Sequence, residues 1–183
     1  MTSPRPPRSP PPPLDSAALE RLALRYVERF ATTRGKLADY LRRKVRERGW
    51  DGAPAEPDAI AARMAELGYV DDRAWAEAKA AALGRRGLGA RRVSGALQAA
   101  RVDEDDRAAV APDVAARAVD AALAFARRKR LGPWARAEGD RAARDKAFAA
   151  MMRAGHPTDL ARRIVALPPG DEPDADLLRD DLR

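Results

Sequence analysis

Several common kinds of functional site are excluded by what the sequence lacks. It has no cysteine, so disulfide bonds and thiolate metal sites are impossible. His156 is the only histidine, which excludes metal sites built from several imidazoles. No apolar run approaches the roughly 18–20 residues that cross a bilayer, and the start MTSPRPPRSPPPP lacks the apolar core of a secretory signal. These absences predict a soluble, cytoplasmic protein with no metal, no other cofactor and no membrane partner.

Strand signals are also scarce, whereas helix signals are frequent. Isoleucine, threonine and aromatic residues are few, and no two-residue alternation of apolar and polar positions persists. Asp15 is placed to cap a first helix, with Leu14 and Leu19 as a hydrophobic staple. Thr32 or Thr33 caps a second helix, and Pro57 suits the first position of a third. The sequence therefore predicts an all-α fold.

The helices repeat in groups of three. Residues 33–51 align with residues 85–103 at an offset of 52, and a further shift brings in a weaker third copy. Each unit of about 50 residues is too small for a core of its own, so neighbouring units must stack in an elongated, curved array. The predicted segments are a disordered proline-rich leader (1–13), three repeats (14–68, 69–112 and 113–167) and an acidic tail (168–183). The tail is expected to be mostly disordered, with a loose helical turn at Leu177, Leu178 and Leu182.

The stretch GRRGLGARR, residues 84–92, raises the question of a phosphate-binding loop. Such loops need a preceding strand, but here a predicted helix precedes, and no Gly-Lys-Ser/Thr follows. A joint between two helices explains the glycines better. In that interpretation Gly84 is a left-handed helix cap, while Gly87 and Gly89 turn the chain.

No catalytic set is recognisable elsewhere. The paired and clustered carboxylates are explained by helix N-termini, because backbone N–H groups and the helix dipole favour negative charge there. These carboxylates are Asp71, Asp72 and the acidic run 103–106. His156 has no second histidine or cysteine as a partner. Without a nucleophile, base and orienting group together, the sequence predicts no enzyme.

Positive charge is the remaining functional signal. The chain has a net charge of +7, and residues 14–170 carry 31 Lys and Arg against 22 Asp and Glu, whereas residues 171–183 are acidic. This distribution predicts a polyanionic partner, with the tail as a possible internal competitor. The candidate nucleic-acid and filament contacts form one cluster per repeat: Arg42, Arg43, Lys44 and Arg46; Arg85, Arg86, Arg91 and Arg92; and Arg127, Arg128, Lys129 and Arg130.

Residues 67–103 combine Leu67-Gly68, Asp71-Asp72, Trp75-Ala76 and a basic stretch with Gly87 and Gly89. This combination resembles the RecX family of regulatory proteins. The family pattern is a Leu-Gly, an Asp-Asp pair, an aromatic residue with alanine, and a glycine-rich basic stretch. This sequence departs from it at Trp75, Ala90 and Ala96, where the family has phenylalanine, proline and an acidic residue. The matching positions are Gly68, Asp71, Asp72, Trp75, Ala76, Gly87, Gly89, Arg91, Arg92, Val93 and Leu97.

The resemblance implies a non-enzymatic modulator of the RecA recombinase, active in homologous recombination, DNA repair and the SOS response. Such proteins lie in the groove of the RecA–DNA filament and inhibit ATP hydrolysis and strand exchange, either by blocking filament extension or by promoting disassembly. The implied partners are the RecA filament, single-stranded DNA and, more weakly, double-stranded DNA. We expect the chain itself to be a monomer.

Two other functions remain open at this point. The turns between second and third helices (RGWD, ARVD, AGHPTD) resemble helix-turn-helix corners, which suggests a DNA-binding protein that does not act on RecA. Alternatively, the arginine clusters are inert and the chain is a scaffold. Tight binding to a particular duplex would indicate a DNA-binding protein that does not act on RecA. If reversing the charge of the arginines left DNA and filament binding unchanged, the chain would be a scaffold.

Overall fold

The computed structural model describes residues 12–180, and all regular elements in this range are helical. Residues 1–11 of the predicted leader and 181–183 of the predicted tail lie outside the described residues. The all-α prediction is confirmed, and the elongated, curved form of the array stays a prediction. The helices are α1 (Ser16–Val27), α2 (Arg34–Arg48), α3 (Pro57–Glu66), α4 (Asp72–Arg85), α5 (Ala90–Ala99), α6 (Glu104–Ala116), α7 (Ala118–Lys129), a 3-10 turn (Gly132–Trp134), α8 (Arg141–Ala154), α9 (Thr158–Ala166) and α10 (Ala175–Asp180).

The chain divides between Asp71 and Asp72 into two compact units. The first unit contains α1–α3, and its helices begin where local chemistry places them. Asp15 accepts a hydrogen bond from the Ala18 N–H at 2.7 Å, and Thr33 accepts one from the Lys36 N–H at 3.2 Å. Both predicted caps are thereby confirmed, as is Pro57 at the start of α3.

The core of the first unit is formed by aliphatic side chains from all three helices, among them the fully buried Leu19, Leu37 and Leu41. The sequence pattern also places Leu67 in this core, and that prediction is wrong, because Leu67 is 57% exposed. α3 ends at Glu66, and Gly68, with a φ of +78°, turns the chain, so that Val70 is buried instead.

The second unit contains two helical sets with adjoining cores. α4–α6 surround one cluster that includes Leu83, Val93 and Leu97, and α7–α9 surround another. Leu88, between α4 and α5, packs against both clusters. The two cores are thus continuous at this residue.

The predicted boundary between the second and third repeats, at 112/113, falls inside α6, which continues through Pro112 to Ala116. The proline removes one backbone hydrogen bond from the helix. However, Val110 and Val114 lie one turn apart on either side of it, and both pack on the α4–α6 core. α6 therefore spans the proline, with one buried and one partly buried valine on its core-facing side.

The C-terminal segment, expected to be mostly disordered with a loose helical turn, is helical over residues 175–180, whereas Leu182 of the expected turn lies outside the described residues. It forms α10, in which Leu178 is only 4% exposed and packs on the α7–α9 core. Arg179 pairs with Asp120 of α7 at 2.6 Å. None of the helices in residues 12–180 combines the length and the apolar character that crossing a membrane requires.

Candidate nucleic-acid interface

The glycine-rich joint, residues 84–92, ends α4 and begins α5. Gly84 lies inside α4, so the prediction that it caps this helix is wrong. The left-handed residue is Gly87, with a φ of +68°. Its N–H donates to the Gly84 carbonyl at 2.7 Å and that of Leu88 donates to the Leu83 carbonyl at 3.0 Å, which is the Schellman pattern. The helix therefore continues past Gly84 to the next glycine.

The joint is held against α7 and the turn between α8 and α9. The Gly89 N–H donates to the Ala154 carbonyl at 2.9 Å, and a Cβ at Gly89 would overlap the Gly155 carbonyl. A Cβ at Gly87 would lie 2.7 Å from the Phe125 nitrogen. Glycine at both positions is thus required by the close approach of two backbones.

Two of the predicted arginine clusters meet at this joint. The Arg128 guanidinium donates to the Arg86 carbonyl, and the Arg91 guanidinium donates to the Met152 carbonyl. Both clusters lie within the second unit, and all their members are solvent-exposed. The remaining members are Arg85, Arg92, Arg127, Lys129 and Arg130.

Arg92 and Lys129 also line a groove of about 510 Å³, which we call the basic groove. Lys146 and Arg153 of α8 complete its set of cations, and no Asp or Glu lines it. Within residues 12–180, none of these four cations has a carboxylate within 4.0 Å. Its apolar lining consists of Leu88, Phe125, Leu131, Ala143, Ala147, Ala150 and Ala154.

This arrangement concentrates positive potential. The apolar floor has a low dielectric constant, and no neighbouring carboxylate neutralises the cations, so the field at the groove remains strong. The chemistry that matches it is a polyanion such as a phosphate backbone. Among the described residues, no group of three or more histidine, aspartate or glutamate side chains is placed to hold a metal ion.

Comparison with known proteins identifies the family. The chain is 32% identical over 158 residues to the "Regulatory protein RecX" of Myxococcus xanthus (strain DK1622), an alignment that covers 80% of this chain and 83% of the relative. The chain belongs to the RecX family. The "Regulatory protein RecX" of Agrobacterium fabrum (strain C58 / ATCC 33970) is 29% identical over 156 residues, covering 83% of this chain and 81% of that protein. No protein-family model matches the chain.

The fold agrees with this membership. The crystal structure of RecX from Lactobacillus salivarius superposes with a TM-score of 0.59 and covers 81% of this chain and 93% of that one. Its sequence identity is only 17%, so this similarity concerns the fold. The resemblance seen in residues 67–103 is thereby confirmed at the level of the family.

Sequence reasoning missed two cations of this RecX-family chain, Lys146 and Arg153. They are seven residues apart on α8, which places them on the same side of the helix two turns from each other. This spacing is visible in the sequence. What is not visible is that α8 packs beside the glycine-rich joint, which brings both cations to Arg92 and Lys129.

The first predicted cluster, on α2, is largely neutralised. Arg42 donates to Asp39 at 2.9 Å and to both carboxylate oxygens of Asp58 on α3, and the hydrogen bond with Asp58 raises the pKa of Arg42. Arg42 thus connects α2 to α3.

Glu47 serves as the carboxylate for two further members of this cluster. Lys44 pairs with it at 2.6 Å and Arg43 at 3.6 Å, and the hydrogen bond from Lys44 lowers the pKa of Glu47. Arg46 is exposed and has no carboxylate within 4.0 Å in the described part of the chain. The alignment of all three clusters along one side of the molecule stays a prediction.

His156 lies beneath the joint and is only 3% exposed. Its ring packs against that of Phe125 with 5.4 Å between the centroids. Burial lowers the pKa of His156 to about 4, so the imidazole is neutral at pH 7. It therefore adds no positive charge to the basic groove at neutral pH.

Proposed function

We propose that this RecX-family chain is a non-enzymatic cytoplasmic regulator of the RecA recombinase. As a monomer it binds the RecA–DNA filament and limits the extension or stability of the filament, which inhibits ATP hydrolysis and strand exchange. The observation that carries the proposal is the basic groove of the second unit. Its four cations lack carboxylate partners in the described residues, and its lining contains no acidic side chain.

A phosphate backbone suits this groove better than a single small anion. The four groove cations come from three different helices: Arg92 from α5, Lys129 from α7, and Lys146 and Arg153 from α8. Their charges are therefore distributed around an open groove. An extended strand brings several phosphates and meets several cations at once, with release of bound counterions. Such contacts do not read base sequence, as expected for a protein that follows a filament.

The neighbouring arginines extend this surface. We assign Arg85, Arg86, Arg91, Arg127, Arg128 and Arg130 to its border, and Arg43, Lys44 and Arg46 of the first unit to secondary contacts. Arg42 is assigned to the packing of α2 on α3, because two carboxylates already bind it.

The proposal is tested by titrating the protein into cognate RecA on single-stranded DNA with ATP, while ATP turnover and filament length are followed together. The groove variant is R92Q/K129Q/K146Q/R153Q. The matched control is R136Q/R141Q/R144Q/R162Q, which removes four exposed cations from the same unit. Three of the control cations have a carboxylate at 3.9–4.0 Å, so their charge is already partly compensated.

We expect the wild type and the control to reduce ATP turnover and shorten filaments. The groove variant should need about tenfold more protein for the same effect, since four exposed ion pairs of a few tenths of a kcal/mol each sum to about 1.4 kcal/mol. If the wild type changes neither ATP turnover nor filament length at comparable stoichiometry, the chain is not a RecA regulator. Tight binding to one duplex sequence without RecA would instead indicate a helix-turn-helix DNA-binding protein.

A further inference from the structure

Three of the nine aromatic residues of the chain gather on the first unit. Tyr26 and Tyr40 stack with 4.3 Å between their ring centroids and 25° between the ring planes. Phe30 lies against Tyr26 at 5.1 Å. We call Tyr26, Phe30 and Tyr40 the aromatic patch. Such clustering is notable in a chain that is only 5% aromatic.

Phe30 presents its ring to solvent, with 54% of the residue exposed. The apolar stripe of the first helix predicts a buried Phe30, but α1 ends at Val27 and Phe30 falls in the connection to α2. Its N–H donates to the Tyr26 carbonyl at 3.0 Å, which fixes the backbone and keeps the ring beside Tyr26. A large apolar surface is thus held in water although hydrophobic burial would favour the opposite.

Cations surround the aromatic patch. The Arg29 guanidinium lies 6.0 Å from the centroid of Phe30. The Arg43 guanidinium lies 5.5 Å from the centroid of Tyr40, and the Lys44 ammonium lies 5.8 Å from it. Arg43 and Lys44 share Glu47, so these four charged groups leave a net positive charge beside the rings.

Exposed aromatic rings with adjacent cations are the chemical basis of single-strand binding. An unpaired nucleobase stacks on the ring while a neighbouring cation meets the phosphate of the same strand. A duplex offers no such face, because its bases are stacked on each other. A purely apolar protein partner would gain nothing from the cations at the border of the patch.

We propose that the aromatic patch is a stacking site for an unpaired nucleobase, with Phe30 as the stacking ring and Arg29 directed to the adjoining phosphate. Tyr26 packs against Phe30, and Tyr40 stacks on Tyr26. This inference deepens the DNA-binding part of the proposed function, since it adds a site that selects single-stranded over double-stranded nucleic acid. The basic groove, by contrast, takes phosphates of either form.

The experiment measures binding of the full-length protein to naked oligonucleotides, without RecA, by fluorescence anisotropy. Three probes are compared: a 20-nucleotide oligo-dT, the same strand with abasic sites in place of the bases, and a 20-base-pair duplex. The variants are F30A, F30L and F30W. The matched control is Y69A, because Tyr69 is also 54% exposed and lies in the same unit, and the described residues include no ring partner for it.

We expect F30A to weaken binding to oligo-dT by about fivefold or more, since base–aromatic stacking contributes at least about 1 kcal/mol per base. Binding to the abasic strand and the duplex should stay unchanged, and Y69A should behave as the wild type. F30W should retain binding, whereas F30L, which is apolar but has no π face, should resemble F30A.

Equal binding of wild type and F30A to oligo-dT would overturn the stacking site, as would an equal loss on the abasic strand. If F30A binds all three probes as the wild type does, a nucleobase is excluded as the occupant of the aromatic patch, a protein partner is left, and the inference is wrong. Because the assay contains no recombinase, its result does not depend on whether the chain regulates RecA.

Discussion

The buried imidazole of His156 makes the stability of this protein depend on pH. The folded state keeps His156 neutral down to a pKa of about 4, whereas in the unfolded chain the ring takes up a proton near pH 6.5. Between these values the unfolded state binds more protons, so stability falls as the pH falls. We expect a loss of about 2 kcal/mol in the free energy of unfolding from pH 7.5 to pH 5.

Urea denaturation of the wild type and of H156L at several pH values measures this effect. Leucine fills a similar volume and does not titrate, so H156L should show a much flatter profile over this range, whatever its absolute stability. His156 is the only histidine, and carboxylates contribute little above pH 5. Parallel profiles for the two proteins would contradict the assignment.

Other residue-level features depend on local chemistry and could be read from the sequence. Asp15 caps α1 as predicted, and of the two threonines predicted for α2 it is Thr33 that caps it. Asp103 caps the helix predicted to start in the acidic run 103–106. Such caps are readable because they involve only neighbouring residues. The sequence predicts Gly84 as the cap of α4, whereas the left-handed residue is Gly87. Either glycine can end a helix. α7 approaches Gly87 closely, and this tertiary contact is not visible in the sequence.

At the level of elements, α10 is a helix of six residues in which Leu178 is the buried side chain. Leu178 packs on the α7–α9 core, whereas its neighbour Leu177 is 58% exposed. We expect L178A to lower the free energy of unfolding of the second unit by about 2 kcal/mol or more, and L177A to change it by less than about 0.5 kcal/mol. Chemical denaturation followed by circular dichroism measures both. Equal effects of the two substitutions would show that α10 does not stabilise the core.

The repeat pattern also illustrates how far sequence reasoning extends at this level. The alignment of residues 33–51 with 85–103 pairs Leu41 with Val93, and both are buried. It also pairs Gly35 with Gly87, yet Gly35 lies in the first turn of α2 and Gly87 lies before α5. Apolar periodicity marks the buried face of each helix, but helix length differs between copies. The spacing of Leu177 and Leu178 predicts a loose helical turn where α10 forms, but only packing on α7 shows why so short and acidic a segment is helical.

At the scale of the whole molecule, family membership could be inferred from the sequence, but the basic groove could not. Two of its cations lie in predicted clusters, whereas Lys146 and Arg153 come from a helix about 55 residues further along the chain than Arg92. Only tertiary packing brings these segments together. Conversely, the sequence predicts Arg42 as a contact residue, whereas in the fold Asp58 of α3 binds its guanidinium. Charge patterns in the sequence thus predict a polyanionic partner without locating the residues that would bind it.

Salt dependence separates the two proposed DNA-binding surfaces. Each phosphate neutralised on a single strand contributes a slope of about −0.7 to log K against log salt, so four groove cations account for about −3. The groove variant R92Q/K129Q/K146Q/R153Q should therefore bind oligo-dT with a slope of log K against log salt that is shallower by about 3 than that of the wild type.

F30A should keep the wild-type slope and lower log K equally at every salt concentration, because stacking releases no counterions. Anisotropy titrations between 50 and 300 mM NaCl (~sixfold in salt) resolve this difference. If the groove variant and the wild type give parallel lines, the groove cations do not meet the phosphates.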